Sequence, residues 1–295
     1  MPRTLHFEVL PEEAGRKLGG FLRSHGVSAR LLTSLKTQPM GICRNGRHAR
    51  SIDRIEAGDV LTLHLPEDTA IPAALPFPLE IIFEDSDLLV INKPAGLAMH
   101  PTHNHQGDTL ANAVAAYLSQ KGEAAAFRAT GRLDKGTSGL TLCAKHAFAA
   151  ANLSKGTEKT YYALALGCYT GEGSFRNAIF RPFPNRTLRA CRAAGEAPQS
   201  GDEAAVTHWQ ALRRRDGITL LKIWLETGRT HQIRVHFAHN GTPLVGDDYY
   251  GAPPRPEARH FLHCGVLRFV HPVTGKALCL EVPLPPEMAA LAGRL

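Results

Sequence analysis

The chain has 295 residues, 43% hydrophobic and 21% charged, which provides for a sizeable core and excludes global disorder. Lys plus Arg is 34 against 27 Asp plus Glu, and the resulting +7 favours polyanionic partners. No run approaches about eighteen consecutive apolar residues, so a membrane-spanning helix is excluded, and at roughly 100–200 residues per domain the chain is one large domain or two smaller ones.

The opening MPRTLHFEVLPEEAG lacks the charged-then-apolar order of a secretory leader, so a cytoplasmic protein without membrane contact is expected. Cys43, Cys143, Cys168, Cys191, Cys264 and Cys279 form no CxxC pair. They read as reduced, buried, small apolar residues, and the ligand spacings of a structural zinc site are missing.

From Arg16 to Arg54 there are nine basic residues and one acidic residue, Asp53. This segment reads either as an electrostatic footprint for nucleic acid or as a solvated basic face. Leu18, Phe21 and Leu22 have helical spacing within 14–25. Leu31, Leu32 and Leu35 have it within 28–37, behind a Ser28 cap. Asn45-Gly46 signals a hairpin, and 59–65 alternates as a strand. Pro66, Pro72, Pro76 and Pro78 then mark a semi-rigid linker, assigned to 71–78, with a second domain over 79–295.

In that second part, EIIFEDSDLLVINKP reads as two strands around a turn at 84–87. Residues 108–119 read as a helix capped by Asp108. GLTLCAKH is a strand and 146–153 a helix. TYYALALGC and ITLLKIWLET are strands, RTHQIRVHFAHNG is a helix stopped by Gly241, and FLHCGVLRFVHP and ALCLEVPLP are closing strands. Strands outnumber helices without βαβ alternation, which predicts an α+β domain with a largely antiparallel mixed sheet, plus a small α/β N-terminal domain over 1–70. Residues 191–203 read as an exposed loop.

The string GRLDKGTSGL, residues 131–140, holds Asp134 between Arg132 and Lys135 in a turn-forming stretch. A carboxylate beside cations stays ionised and can serve as nucleophile or base without metal or cofactor. On the residues alone, a turn Asp bonding to the backbone is the commoner outcome. His100, His103 and His105, and again His231, His236 and His239, lie close in sequence, either as structural polar groups or as a metal site. Trp209 and Trp224 read as core rather than as a stacking platform, and Arg213, Arg214 and Arg215 as a solvated hairpin tip or a phosphate contact. Neither a GxxxxGK[ST] loop nor a GxGxxG is present.

Two short basic helices, a hairpin and a strand over roughly 12–65 resemble the alpha-L (S-four-type) RNA-binding domain. The resemblance implies RNA contacts from this segment, with Arg16, Lys17, Arg30, Lys36 and Arg47 as candidates. GRLDKGTSGL resembles the catalytic motif of the RluA family of pseudouridine synthases. INKPAGLAMHP (91–101), KTYYA (159–163) and LETGRTHQIRVH (225–236), with the following VGDDYYG, resemble its other motifs in order. That resemblance implies the pseudouridine synthase fold and Asp134 as the catalytic group. It implies Tyr161 as the tyrosine that stacks on the target base, and Arg229 as the arginine paired with the aspartate. Arg132 is implied as an RNA contact and Leu225 as an apolar pocket wall. Gly131 stands where this family usually has His, and Gly at that place resembles the RsuA family of pseudouridine synthases; Gly136 stands where many members carry an acidic residue.

The implied reaction is isomerisation of uridine in structured RNA, with no cofactor and no metal. The substrate is expected to be large-subunit ribosomal RNA, with transfer RNA second, and the protein a monomer. The alternatives are a non-catalytic RNA-binding assembly protein on the same fold, and a metal-dependent hydrolase built on the histidines.

Overall fold

A computed structural model of the chain describes residues 3–68, 71–102, 106–153, 156–193, 195–196 and 199–293. The N-terminal part consists of β1 (Thr4–Glu8), α1 (Leu18–Ser24), α2 (Ala29–Lys36), β2 (Ile42–Arg44), β3 (Arg47–His48) and β4 (Val60–His64). Its strands form an antiparallel sheet in the order β1-β4-β2-β3. Leu18, Phe21 and Leu22 of α1 and Leu31, Leu32 and Leu35 of α2 are buried against it, as their helical spacing predicts. Fully burying such a side chain contributes about 1.5–3 kcal/mol. The Ser28 Oγ accepts the Leu31 N–H at 3.2 Å, which is the expected cap. Asn45 and Gly46, at φ 51° and 79°, make the turn between β2 and β3. β1 is an addition to the sequence reading.

The larger part begins with β5 (Glu80–Glu84), β6 (Leu88–Lys93), α3 (Leu110–Gln120), β7 (Arg128–Ala129), β8 (Ser138–Ala144), α4 (Ala147–Leu153) and β9 (Glu158–Leu166). It continues through β10 (Glu172–Phe175), β11 (Ile179–Phe180), β12 (Ala190–Cys191), β13 (Thr207–Arg215), β14 (Ile218–Leu225) and α5 (Gln232–His239). β15 (Leu262–Val270), β16 (Ala277–Glu281) and α6 (Pro286–Ala292) complete it. One mixed sheet follows the path β10-β13-β14-β9-β15-β8-β6-β5, with β16 beside β15 and β7 beside β8. Among the described residues its one parallel pairing is β8 with β15; the rest are antiparallel, as expected. All seven residues of β8 are buried, so the strand that leaves the Asp134 loop runs through the core.

Three local expectations are corrected. The cap of α3 is Thr109 rather than Asp108, because Asn112 bonds back to the Thr109 N–H and the helix starts one residue later. The supposed loop 191–203 is not wholly free: Cys191 at its start pairs with Ile179 of β11, and Glu203 at its end bridges to the same residue. Cys168 and Cys279 are exposed rather than buried.

The two parts share a core. Phe148, from α4, is buried in the N-terminal cluster beside Phe7, and Val273 packs there too. Asn152 donates to the Gly26 carbonyl at 3.0 Å. Arg3 donates to both carboxylate oxygens of Asp87, which also lies 2.9 Å from His146 Nε2. The proline-rich connection is anchored as well: Asn112 donates to the Ala73 carbonyl, and Asp68 pairs with Arg128. No helix among the described residues is long and apolar enough to cross a membrane.

Candidate active site

Asp134 stands in the loop between β7 and β8, where the Thr137 N–H bonds to its carbonyl at 3.0 Å and closes a turn. Its side chain is about a quarter exposed and opens on a cavity of about 820 Å³, large enough for a nucleotide. Arg132, Tyr161, Leu225 and Arg229 line the same cavity, so five predicted residues from three separate stretches of sequence converge. Arg16, Lys17, Arg30, Lys36 and Arg47 are all exposed on the N-terminal part and do not line it.

The partner of Asp134 differs from the expectation. Arg234 on α5 donates from Nη1 to the Asp134 Oδ2 at 3.0 Å, while its Nε and Nη2 fork onto Asp247, each at 2.8 Å. Arg229 instead bonds to Glu203 and the Ala204 carbonyl. The reason is local. Arg229 belongs to the turn before α5, where Gln232 Oε1 accepts its N–H at 2.9 Å and fixes the backbone with the side chain turned away. Arg234 lies within the buried stretch 232–237 and faces the Asp134 loop. Burial opposes the Arg234 charge, but the bonds to Asp247 and the two carboxylate charges outweigh it and hold its pKa above the ordinary arginine value.

Tyr161 lies on β9, opposite Ile223 and Cys264 of the neighbouring strands. Burial pushes its phenol well above the ordinary value, so near neutral pH it can donate a hydrogen bond and offer a ring face. Arg132 reaches the Thr230 hydroxyl at 3.1 Å across the cavity mouth. His231 starts α5 at φ 56°, 2.9 Å from the Tyr250 hydroxyl and 3.9 Å from Asp134.

The two departures from the usual motif have spatial explanations. Gly131 has φ 75°, and a Cβ there would meet Lys159 Nζ at 3.1 Å, which donates to the Thr130 carbonyl. At Gly136 a Cβ would come within 2.8 Å of the buried His260 ring, itself 2.8 Å from the Thr137 hydroxyl. Gly136 and His260 are thus fitted to one another.

Three site residues escape the sequence reading. The Arg234 signal is a charge embedded in the apolar string IRVHF. Lys93 is fully buried at the end of β6 and donates to the carbonyls of Pro94, Leu97 and Lys135, the last being the residue after Asp134. A lysine closing the apolar run LLVINK was its signal. Trp224, expected in the core, is 38% exposed and lines the cavity; Trp209 does pack against the core. Of the histidines, His103 and His105 lie outside the described residues. His236 is bonded to Thr207 and Asn177, and His239 is exposed. Asp85, Asp87 and His271 approach within 4.8 Å of one another, but Asp87 is engaged by Arg3 and His146, and none of the three lines the cavity.

A family model for RNA pseudouridylate synthase matches residues 87–239, the span from Asp87 through α5 that contains Asp134, Tyr161 and Arg234. The chain belongs to the RNA pseudouridine synthase family. Its members are isomerases, and the fold and motifs agree with that membership. The RNA pseudouridine synthase YhcT of Bacillus subtilis is 37% identical over 80% of this chain and 79% of its own length. The ribosomal large subunit pseudouridine synthase D of Haemophilus influenzae is 33% identical over 100% of this chain and 96% of its own. Human RNA pseudouridylate synthase domain containing 4 is similar in fold, with a TM-score of 0.60 at 21% identity over 73% of this chain and 92% of that one.

Proposed function

We propose that this pseudouridine synthase isomerises uridine in structured large-subunit ribosomal RNA, in the cytoplasm, with Asp134 as the reacting group. The observation that carries the reading is the Asp134–Arg234–Asp247 array at the wall of a nucleotide-sized cavity. The ribosomal substrate is supported by the Haemophilus relative, named for the large subunit and matched along this whole chain.

The reaction breaks the bond from uracil nitrogen to ribose, turns the base and rejoins it through carbon, so no atom is gained or lost. Asp134 either attacks the ribose or base, or takes a ribose proton to give a glycal; both routes begin with an ionised carboxylate. Arg234, fixed by Asp247, orients that carboxylate and favours its charge. Extruding the uridine costs a few kcal/mol, and stacking on Tyr161 offsets about 1–3 kcal/mol of it. Leu225 forms an apolar wall, while Arg132 and Arg229 at the rim meet phosphates. The N-terminal part acts as an S-four-type RNA grip through Arg16, Lys17, Arg30, Lys36 and Arg47.

The test is a pseudouridine map of ribosomal and transfer RNA from cells lacking this gene, complemented with wild-type or Asp134→Asn protein. The expected result is one or more ribosomal sites lost, restored by wild type and not by Asp134→Asn. An unchanged ribosomal map, or full restoration by Asp134→Asn, would overturn the reading.

A further inference from the structure

Residues alternate faces along a strand, so Lys222 and Trp224 of β14 project on one side of the sheet, the face opposite to that of Ile223 and Tyr161, and both line the Asp134 cavity. On β13, Gln210 stands opposite Lys222, and His208 stands opposite Trp224. The His208 and Trp224 rings are stacked, 5.4 Å apart and 16° from parallel. The imidazole is held at both nitrogens, 2.6 Å from the Ser174 hydroxyl and 2.7 Å from Glu226 Oε1. One face of the indole therefore rests on an anchored ring, and the side chain is still 38% exposed. Tryptophan is normally among the more buried residues, and a flat ring with a braced back and an open front is the form of a stacking platform.

The surroundings indicate what stacks on it. The cavity wall carries five cationic side chains, Arg132, Lys159, Lys222, Arg229 and Arg234, against the carboxylates of Asp134, Glu158 and Glu226. A ligand with flat rings joined by anionic links matches that wall, and it has to be continuous with whatever reaches Asp134. We propose that Trp224, braced by His208, is a subsite for the base of a nucleotide that neighbours the target uridine, with Lys222 meeting a phosphate and Gln210 a base edge. This rests on the proposed uridine chemistry and adds a contact outside the reacting residue. The platform holds the RNA strand after the uridine has left its stack, and it is sequence-tolerant because every base has a π-face.

The test uses a short RNA hairpin with a uridine in its loop, and the same hairpin with that uridine's loop neighbours made abasic. Binding is read by indole fluorescence and by filter retention, and uridine conversion is measured in the same samples. Wild-type emission is quenched saturably by the intact hairpin. Trp224→Phe, which keeps a flat ring, binds within about threefold of wild type but loses most of the quench. Trp224→Leu, apolar but not flat, binds about tenfold more weakly, in the range expected for a lost stacked base. Abasic neighbours weaken wild type about tenfold and leave the Leu variant almost unaffected, because the same contact is already missing. Wild-type affinity in Trp224→Leu, undiminished quenching in Trp224→Phe, or no saturable binding would overturn the platform. If wild type converts uridine while Trp224→Leu binds normally, the platform alone falls. If the variants behave as expected and no uridine is converted, the platform stands and the catalytic reading falls.

Discussion

Arg234 holds a single positive charge between two carboxylates, with unequal grips: a two-point fork on the buried Asp247 and one bond to the partly open Asp134. A lysine cannot reproduce that fork, so Arg234→Lys should lower single-turnover conversion by about a hundredfold or more. Arg229→Lys alters half-exposed contacts with Glu203 and the Ala204 carbonyl and should cost less than about tenfold. A larger loss at Arg229 than at Arg234 would show that the aspartate's partner has been misassigned. The motif GRTHQIRVH contains both arginines, and only Arg234 has apolar neighbours on both sides; what decides is that Arg229 precedes the helix while Arg234 lies on its buried stretch. Lys93 supplies a pH signature. Burial pushes its ammonium down to about 7, the Arg259 charge pushes the same way and Asp134 resists, while three carbonyl acceptors also favour the proton. Between about pH 7 and the ordinary lysine value near 10.5, the unfolded chain then binds more protons than the native one at this position. Wild type should therefore gain stability relative to Lys93→Met as pH rises from about 7 towards 10, and show no such trend below 7. Urea midpoints of both proteins across that range check it, and a relative loss of stability with rising pH would contradict it.

Among elements, α2 presents Arg30 and Lys36 outward and β3 presents Arg47, while Leu31, Leu32 and Leu35 of α2 face inward. If these cations contact phosphates, changing all three to Gln should flatten the slope of log affinity against log salt by about 2–3, since each lost contact removes about 0.7–0.9. The melting temperature should stay nearly constant because none of the three is buried. An unaltered slope would mark this face as merely solvated. These elements were legible because period and cap agree: leucine spacing, Ser28 before α2, and Asn45-Gly46 at the turn. β1 and β13 were harder to read. β1 alternates, with Leu5 and Phe7 inward, but over only five residues, whereas β13 mixes Trp209 with the arginines of its hairpin end. Trp224 was misassigned because apolar character on a strand predicts burial, whereas exposure here depends on what the opposite face of the sheet encloses.

For the whole molecule, the shared core means that the N-terminal part and the synthase part should unfold together. Phe148 is 4% exposed and belongs to the synthase chain segment, yet its contacts include the N-terminal cluster. Phe148→Ala should cost about 3–5 kcal/mol and separate one calorimetric transition into two. Two transitions already present in wild type would mean that the parts are energetically independent. The clasp of Arg3 and His146 on Asp87 acts in the same direction. Burial raises the Asp87 pKa, but those partners outweigh it and hold the carboxyl well below the usual carboxylate range. Its stabilisation is therefore present above about pH 4 and is lost as pH falls through the depressed pKa. The proline stretch that reads as a semi-rigid linker in the sequence is tied down at Asn112 and Arg128, contacts that proline density cannot foretell.

The position of Phe148 also has a temporal consequence during synthesis. It follows Leu65, the last residue of the N-terminal cluster before the connection, by 83 residues. At about 5–20 residues per second, the ribosome delivers that ring about 4–17 s after the N-terminal side of its seat has been made. Throughout that interval the nascent chain carries an unfilled apolar socket beside a strongly basic surface, while it is still attached to a particle rich in RNA.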